Sequence, residues 1–254
     1  MELEKFINKI INGDCLEVLK AIPDCSIDAV ITSPPYNMGR DYDVYNDNRD
    51  FDEYFNWLFQ VLDELVRVLN QNRRLIINIQ PVISKKIPTH HIISNYLLKK
   101  GLQFYTEIIW YKNNYKCVPF LGSQKHKSPY IKSNIEYILV FTKGDDKYIK
   151  DIDILEMSEF EYAKITTTFW NINPDTEMKK LKHPAKFPLE IPERLIKLFT
   201  YPDDIILDPF IGTGTTALAC LKLKRRFIGI ELSRNYCETA NKLIENFIKQ
   251  KSLF

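Results

Sequence analysis

Several large classes are excluded by what this chain does not contain. No apolar run approaches the ~18 residues that a membrane-spanning helix needs. Residues 1–10 mix charged with apolar side chains, so no secretory signal is expected. The five cysteines are odd in number and scattered, with no C-x-x-C pair, which argues against both a disulfide framework and a zinc site. A formal net charge of +2 over 254 residues leaves no global excess of either sign, so any affinity for nucleic acid has to come from local patches. Neither an internal repeat nor a low-complexity segment is present. These absences lead to the expectation of a soluble cytoplasmic protein in a reducing compartment, with no membrane partner and no metal. Hydrophobic residues make up 45% of the chain, enough for one large or two small domains with a proper core.

What is present is organised around residues 204–231. The apolar run Ile205-Ile206-Leu207 meets a glycine-rich turn, a helix-friendly stretch follows, and residues 226–230 read as a second buried strand. Strand, glycine turn, helix and strand make a βαβ unit. Gly212 and Gly214 let backbone approach a ligand closely, and Thr215 or Thr216 is expected to cap a helix whose N-terminus favours polar or anionic groups. Glu231 ends the second strand, where a carboxylate can take both hydroxyls of a ribose. The loop fits the loose G-x-G-x-x-G/A pattern of dinucleotide sites, which taken alone is compatible with several nucleoside-containing ligands. No Gly-Lys-Ser/Thr follows, so it is not a P-loop. Little chain remains after Glu231, so the other strands of the sheet have to come from earlier in the chain, as in a circularly permuted nucleoside-binding sheet.

Upstream, residues 9–14 read as a strand ending in Gly13-Asp14, and residues 27–31 as a buried strand that runs into Thr32-Ser33-Pro34-Pro35-Tyr36. Two prolines cannot continue a central strand, so the chain turns at its carboxyl end, where open α/β sheets hold ligands. Residues 37–51 are polar and turn-rich, and a mobile loop is expected there. Residues 52–69 carry Phe55, Leu58, Phe59, Leu62, Leu65, Val66 and Leu69 at helical spacing, a core stripe rather than a site. Strands are expected over 75–79, 104–110 and 136–141, and helices over 89–100 and 188–199. The alternation predicts an α/β fold with a doubly wound, mostly parallel sheet.

Two segments do not fit that scheme. Residues 108–135 lack Asp and Glu and carry Lys112, Lys116, Lys125, Lys127 and Lys132, interleaved with Trp110, Tyr111, Tyr115, Phe120 and Tyr130. Lysines meet phosphates and aromatics stack on exposed bases, so this is a candidate nucleic-acid strip; the alternative is a solvated loop with ordinary lysines. Residues 144–182 are mixed in charge and irregular.

The sharper signal is Ser33-Pro34-Pro35-Tyr36. The lone pair of an exocyclic base amine is delocalised into the ring, so the amine is a poor nucleophile. An acceptor at residue 33 and the Pro34 carbonyl can hydrogen-bond its two N–H groups and favour an sp³-like nitrogen in the transition state. Prolines hold that carbonyl rigidly, and Tyr36 offers a face for an extruded base.

These residues together resemble the β group of the S-adenosylmethionine-dependent amino-group DNA methyltransferases of restriction-modification systems. Residues 32–36 look like the family's catalytic motif and residues 208–216 like its cofactor loop, in the β group's order. His183-Pro184-Ala185-Lys186-Phe187-Pro188 resembles the segment that precedes that loop, and Asn12-Gly13-Asp14-Cys15 the N-terminal strand end. The resemblance implies a Rossmann-like methyltransferase fold, circularly permuted. Residues 1–143 would form its catalytic half, 144–182 a small DNA-recognition insert and 183–254 its cofactor-binding half. It further implies Ser33, Pro34, Pro35 and Tyr36 at the target amine; Asp208, Phe210, Gly212, Gly214 and Thr215 around the methionine part; Glu231 on the ribose; Asp14 near the adenine; and His183 and Lys186 beside the cofactor. Ser33 stands where many members have Asp, and the Ser form is usually associated with N4-cytosine. The expectation is therefore transfer to N4 of a flipped cytosine in double-stranded DNA, with adenine N6 as the alternative. A cognate restriction endonuclease and a monomeric or homodimeric state are compatible with it. An NAD-dependent oxidoreductase or an inactive DNA-binding module are the remote alternatives. C5-cytosine chemistry commonly uses a Cys after Pro, and none of Cys15, Cys25, Cys117, Cys220 or Cys237 follows a Pro.

Overall fold

The computed structural model describes residues 3–82, 85–113, 133–145, 157–174 and 187–251. Its elements, in chain order, are β1 (Lys9–Asn12), α1 (Cys15–Lys20), β2 (Ile27–Thr32), α2 (Phe51–Val68), β3 (Leu69–Ile79), α3 (Thr89–Lys99), β4 (Gln103–Tyr111), β5 (Ile135–Lys143), α4 (Glu159–Ile165), β6 (Phe169–Asn171), α5 (Glu190–Phe199), β7 (Ile205–Asp208), α6 (Thr215–Lys222), β8 (Arg226–Glu231) and α7 (Arg234–Lys251). The described strands form one sheet in the order β1-β8-β7-β2-β3-β5-β4-β6.

Side-chain alternation along the strands builds a core on each face. Ile27 and Val30 of β2, with Leu75, Ile77 and Ile79 of β3, face α1, α2 and α3; Ala29, Ile31 and Ile76 face the side of α5, α6 and α7. α2 shows why a segment takes its place. The Asp50 side chain accepts from the Glu53 N–H at 2.7 Å and caps the helix, and Phe55, Leu58, Val61, Leu62 and Leu65 make its buried stripe. Burying each of these side chains stabilises the fold by about 1.5–3 kcal/mol. Helix then passes into strand without a loop, because Leu69 is both the C-cap of α2 and the first residue of β3.

The pairing is parallel for β1–β8, β8–β7, β7–β2, β2–β3 and β4–β6, and antiparallel where β5 meets β3 and β4. The doubly wound, mostly parallel expectation therefore holds, with β5 reversed. Antiparallel neighbours need no crossover helix, which matches the absence of any helical pattern between β4 and β5. The irregular reading of residues 144–182 is corrected in part: residues 159–165 form α4, and residues 169–171 form an edge strand whose Trp170 is buried with its indole N–H donating to the Ile165 carbonyl at 3.1 Å. None of the described helices is long and apolar enough to cross a membrane.

The consequence for function is set by β2 and β7. They are neighbours, with Ala29 opposite Ile206 and Val30 opposite Leu207. The chain leaves β7 through α6 towards β8 on one side and leaves β2 through α2 towards β3 on the other. That divergence is a topological switch point, where open α/β sheets form a crevice beyond the carboxyl ends of their strands.

Candidate active site

At the switch point the two sequence motifs are bonded to each other. The Asp208 carboxylate at the end of β7 accepts from the Thr32 hydroxyl at 2.7 Å, the Thr216 hydroxyl at 2.7 Å and the Phe210 N–H at 3.1 Å. Thr32 ends β2 just ahead of the Ser-Pro-Pro-Tyr turn, and Thr216 lies in the first turn of α6. One buried carboxylate thus fixes the Ser33–Tyr36 turn, the glycine loop and α6 in a common frame. Burial pushes the Asp208 carboxyl up to about 6, against the three hydrogen bonds that hold it down.

The glycine loop follows. Gly214 occupies the N-cap position of α6 at φ 90°, and no side chain caps the helix. This corrects the expected capping by Thr215 or Thr216: the cap position needs left-handed backbone, and the Thr216 hydroxyl is committed to Asp208. A Cβ on Gly214 would stand 2.9 Å from the Ala240 Cβ, so α6 and α7 approach each other only because the side chain is missing. Glu231 closes the loop from the end of β8: Oε2 accepts from the Gly212 N–H at 3.0 Å and Oε1 from the Ser233 N–H at 2.8 Å. Each oxygen keeps lone pairs for a ligand hydroxyl. Burial raises the Glu231 carboxyl above its usual value, opposed by these backbone bonds. Asp14 caps α1 by accepting from the Leu16 N–H at 2.8 Å.

A single cavity is lined by Asp14, Ser33, Pro34, Pro35, Tyr36, Asp208, Phe210, Gly212, Thr215 and Glu231. These expected residues share one site, whereas Gly214, expected among them, is not in the lining. Cys15 also lines it, but burial pushes its thiol up to about 12, which leaves it inert as a nucleophile at neutral pH.

Residues 37–50, within the stretch expected as a polar, turn-rich loop, carry hydrogen bonds of their own. The buried Asp47 accepts the N–H groups of Asn37 at 2.8 Å, Met38 at 3.1 Å and Arg40 at 3.0 Å, so one carboxylate organises the turn from within. Farther along, Asp43 accepts from the Ser233 hydroxyl at 2.6 Å and the Asn235 amide at 2.8 Å, which ties the loop to the start of α7. Tyr42, Tyr45 and Arg49 of this loop line the cavity together with Trp57 of α2. The Arg49 guanidinium stacks over Tyr45 at 4.8 Å and over Trp57 at 5.3 Å, and Trp57 meets Phe210 at 5.7 Å. Sequence reasoning misses this aromatic wall. The available signal is that Trp57 lies off the core stripe of α2.

In the Ser33–Tyr36 turn, Pro35 is fixed by the Tyr54 hydroxyl, which donates to its carbonyl at 2.7 Å. No described residue donates to the Pro34 carbonyl. The Ser33 and Tyr36 hydroxyls lie 2.9 Å apart, and Tyr36 donates to Glu136 at 2.7 Å. Glu136 and Asn78, both buried and neither singled out from sequence, complete this corner. Lys112, expected among phosphate contacts, is paired with Glu136 and lies over the Trp110 ring at 4.8 Å. Lys116, Lys125, Lys127, Lys132, His183 and Lys186 lie outside the described residues. The residues flanking the first of these stretches, Tyr111 and Ile135, are paired at the same edge of the sheet as the site.

A family model described as DNA methylase, of the N6/N4 type, matches residues 27–242. The chain is 29% identical over 255 residues to the type II methyltransferase M.BglII of Bacillus subtilis, covering 95% of this chain and 70% of that protein. It is 32% identical to the type II methyltransferase M.MjaI of Methanocaldococcus jannaschii, covering 90% and 88%. Among solved structures, the protein TTHA0409 of Thermus thermophilus, in complex with S-adenosyl-L-methionine, superposes with a TM-score of 0.71 at 28% identity, covering 92% of this chain and 93% of that one.

Proposed function

Because this chain belongs to the N6/N4 DNA methylase family, and is a DNA methyltransferase on that ground, we propose that it methylates the N4 amine of a cytosine flipped out of double-stranded DNA, with adenine N6 as the second reading. The observation that supports the proposal is the bond network through Asp208, which joins the strand end before the Ser33–Tyr36 turn to the glycine loop, both of which line one cavity.

The donor set fits S-adenosyl-L-methionine. Glu231 offers both carboxylate oxygens to a ribose diol, Trp57 and Phe210 offer apolar faces, and Asp14 would stand near the adenine. When bound, that cofactor supplies a methyl group on a sulfonium, electrophilic enough for direct displacement by an amine. The chain's own task is to hold the base amine in line and make it a better nucleophile. Ser33 Oγ and the Pro34 carbonyl accept its two N–H bonds, which draws the nitrogen lone pair out of conjugation and spreads the developing positive charge. No covalent enzyme intermediate is required, consistent with the inert Cys15.

His183 and Lys186 belong to the cofactor side in this reading. Lys116, Lys125, Lys127 and Lys132 would contact DNA phosphates. Residues 144–182 would read the target sequence, with α4 and β6 as the part anchored to the sheet. A partner restriction endonuclease is compatible with the type II relatives.

Ser33 is what favours cytosine in this reading. A short neutral hydroxyl leaves more room and a weaker field at the amine than the carboxylate common at this position in the family, and the Ser form associates with cytosine. Nucleoside mass spectrometry of DNA treated with the purified protein is expected to find N4-methylcytosine. Methyl groups on adenine and none on cytosine would refute the choice of base while leaving the enzyme class intact.

A further inference from the structure

Glu136 lies at the start of β5, buried to 5% exposure, in a position that no requirement of the fold explains. A carboxylate there has to be fully partnered, because an unpaired buried charge is costly. The polarity of these contacts is set: the Lys112 ammonium and the Asn78 side-chain NH2 donate, and the carboxylate accepts. The Tyr36 hydroxyl has one hydrogen to donate, and Glu136, a carboxylate at 2.7 Å, is the strongest of the acceptors within reach, ahead of the Ser33 hydroxyl at 2.9 Å and the Asn78 main-chain carbonyl at 3.5 Å. Burial and the neighbouring Glu136 raise the Tyr36 phenol well above its ordinary value, so the proton is present throughout the physiological range.

The direction of the remaining bonds follows. The Tyr36 oxygen, with its hydroxyl donating to Glu136, accepts from the Asn78 side-chain NH2 at 2.9 Å and has one lone pair left. Ser33 Oγ stands 2.9 Å away and fills it by donating. The Ser33 proton then points at Tyr36, and the Ser33 lone pairs are left for the cavity. With the Tyr36 proton turned towards Ser33 instead, the serine proton would be released towards an incoming amine N–H, donor against donor.

We propose that Glu136 is a positioning residue for methyl transfer: acting through the Tyr36 hydroxyl, it orients the Ser33 hydroxyl as an acceptor for the target amine. The role rests on the functional reading above and adds to it the device that turns a serine, which can donate or accept, into an acceptor. It also assigns Lys112 to charge balance at Glu136 rather than to a phosphate.

The test is a double-mutant cycle on the single-turnover rate of methyl transfer at saturating S-adenosyl-L-methionine and DNA, using Tyr36→Phe, Glu136→Gln and the pair. Each single variant is expected to lose about tenfold in rate with cofactor affinity unchanged, and the pair no more than Tyr36→Phe alone, because both act on one proton. A hundredfold loss in the pair, the product of independent effects, would overturn the proposal. Tyr36→Phe leaves the Glu136–Lys112 pair intact, so it stays informative if Glu136→Gln does not fold; a wild-type rate in Tyr36→Phe alone would also overturn it. Wild-type protein that moves no methyl group to DNA would instead refute the functional reading on which the role depends.

Discussion

Gly214→Ala is expected to lower the unfolding free energy by about 2–5 kcal/mol, from left-handed backbone at about 1–2 and overpacking at about 1–3 kcal/mol. Both contributions come from one position: φ is 90°, and the added Cβ would meet the Ala240 Cβ at 2.9 Å and its Cα at 3.3 Å. The obstacle is another helix, so it cannot swing aside as the end of a long side chain would. Relief therefore requires α6 to move away from α7, which carries the glycine loop away from Glu231. Urea titration measures the loss of stability. The two contributions separate in Gly214→Ala combined with Ala240→Gly, which is expected to recover part of the packing loss and none of the backbone loss. A single variant as stable as the wild type would mean that α6 and α7 are not packed as described.

Glu231→Ala is expected to weaken S-adenosyl-L-methionine binding by about 1.5–3 kcal/mol, the range for hydrogen bonds to a charged group. The substitution acts twice. It removes the two oxygens proposed for the ribose, and it frees the Gly212 and Ser233 N–H groups, which these oxygens hold at 3.0 and 2.8 Å. Glu231→Gln separates the two effects, because an amide oxygen can keep one of the backbone bonds while the second acceptor is lost. Calorimetry is the measurement, and an unchanged affinity in folded Glu231→Ala protein would remove Glu231 from the cofactor site.

The parts legible in the sequence are those where local chemistry leaves few choices. β7, the glycine turn and β8 are readable from three short apolar or glycine-rich runs, and the Pro34-Pro35 pair marks the end of β2 because proline cannot continue a central strand. Both motifs follow the carboxyl ends of strands, which is enough to place them at one edge of the sheet. The parts that are not legible depend on contacts distant in sequence. β6 is three residues long, too short to show alternation, and is held by Trp170 and by pairing with β4. The loop of residues 37–50 resembles any polar turn until Asp47 is seen collecting three backbone N–H groups. Glu136 has no sequence signature at all: it is an acid in an apolar strand, and its meaning comes from Tyr36, a hundred residues earlier.

The central claim is that the Ser33–Tyr36 turn and the Gly212–Glu231 loop serve one reaction across one cavity. The most direct test is to incubate the protein with DNA and S-adenosyl-L-methionine carrying an isotopic label on the methyl group, and then to locate the label in the digested nucleosides. The account predicts label in DNA, on an exocyclic base nitrogen. Label on cytosine C5, or tight cofactor binding with no label entering DNA of any sequence, would contradict it.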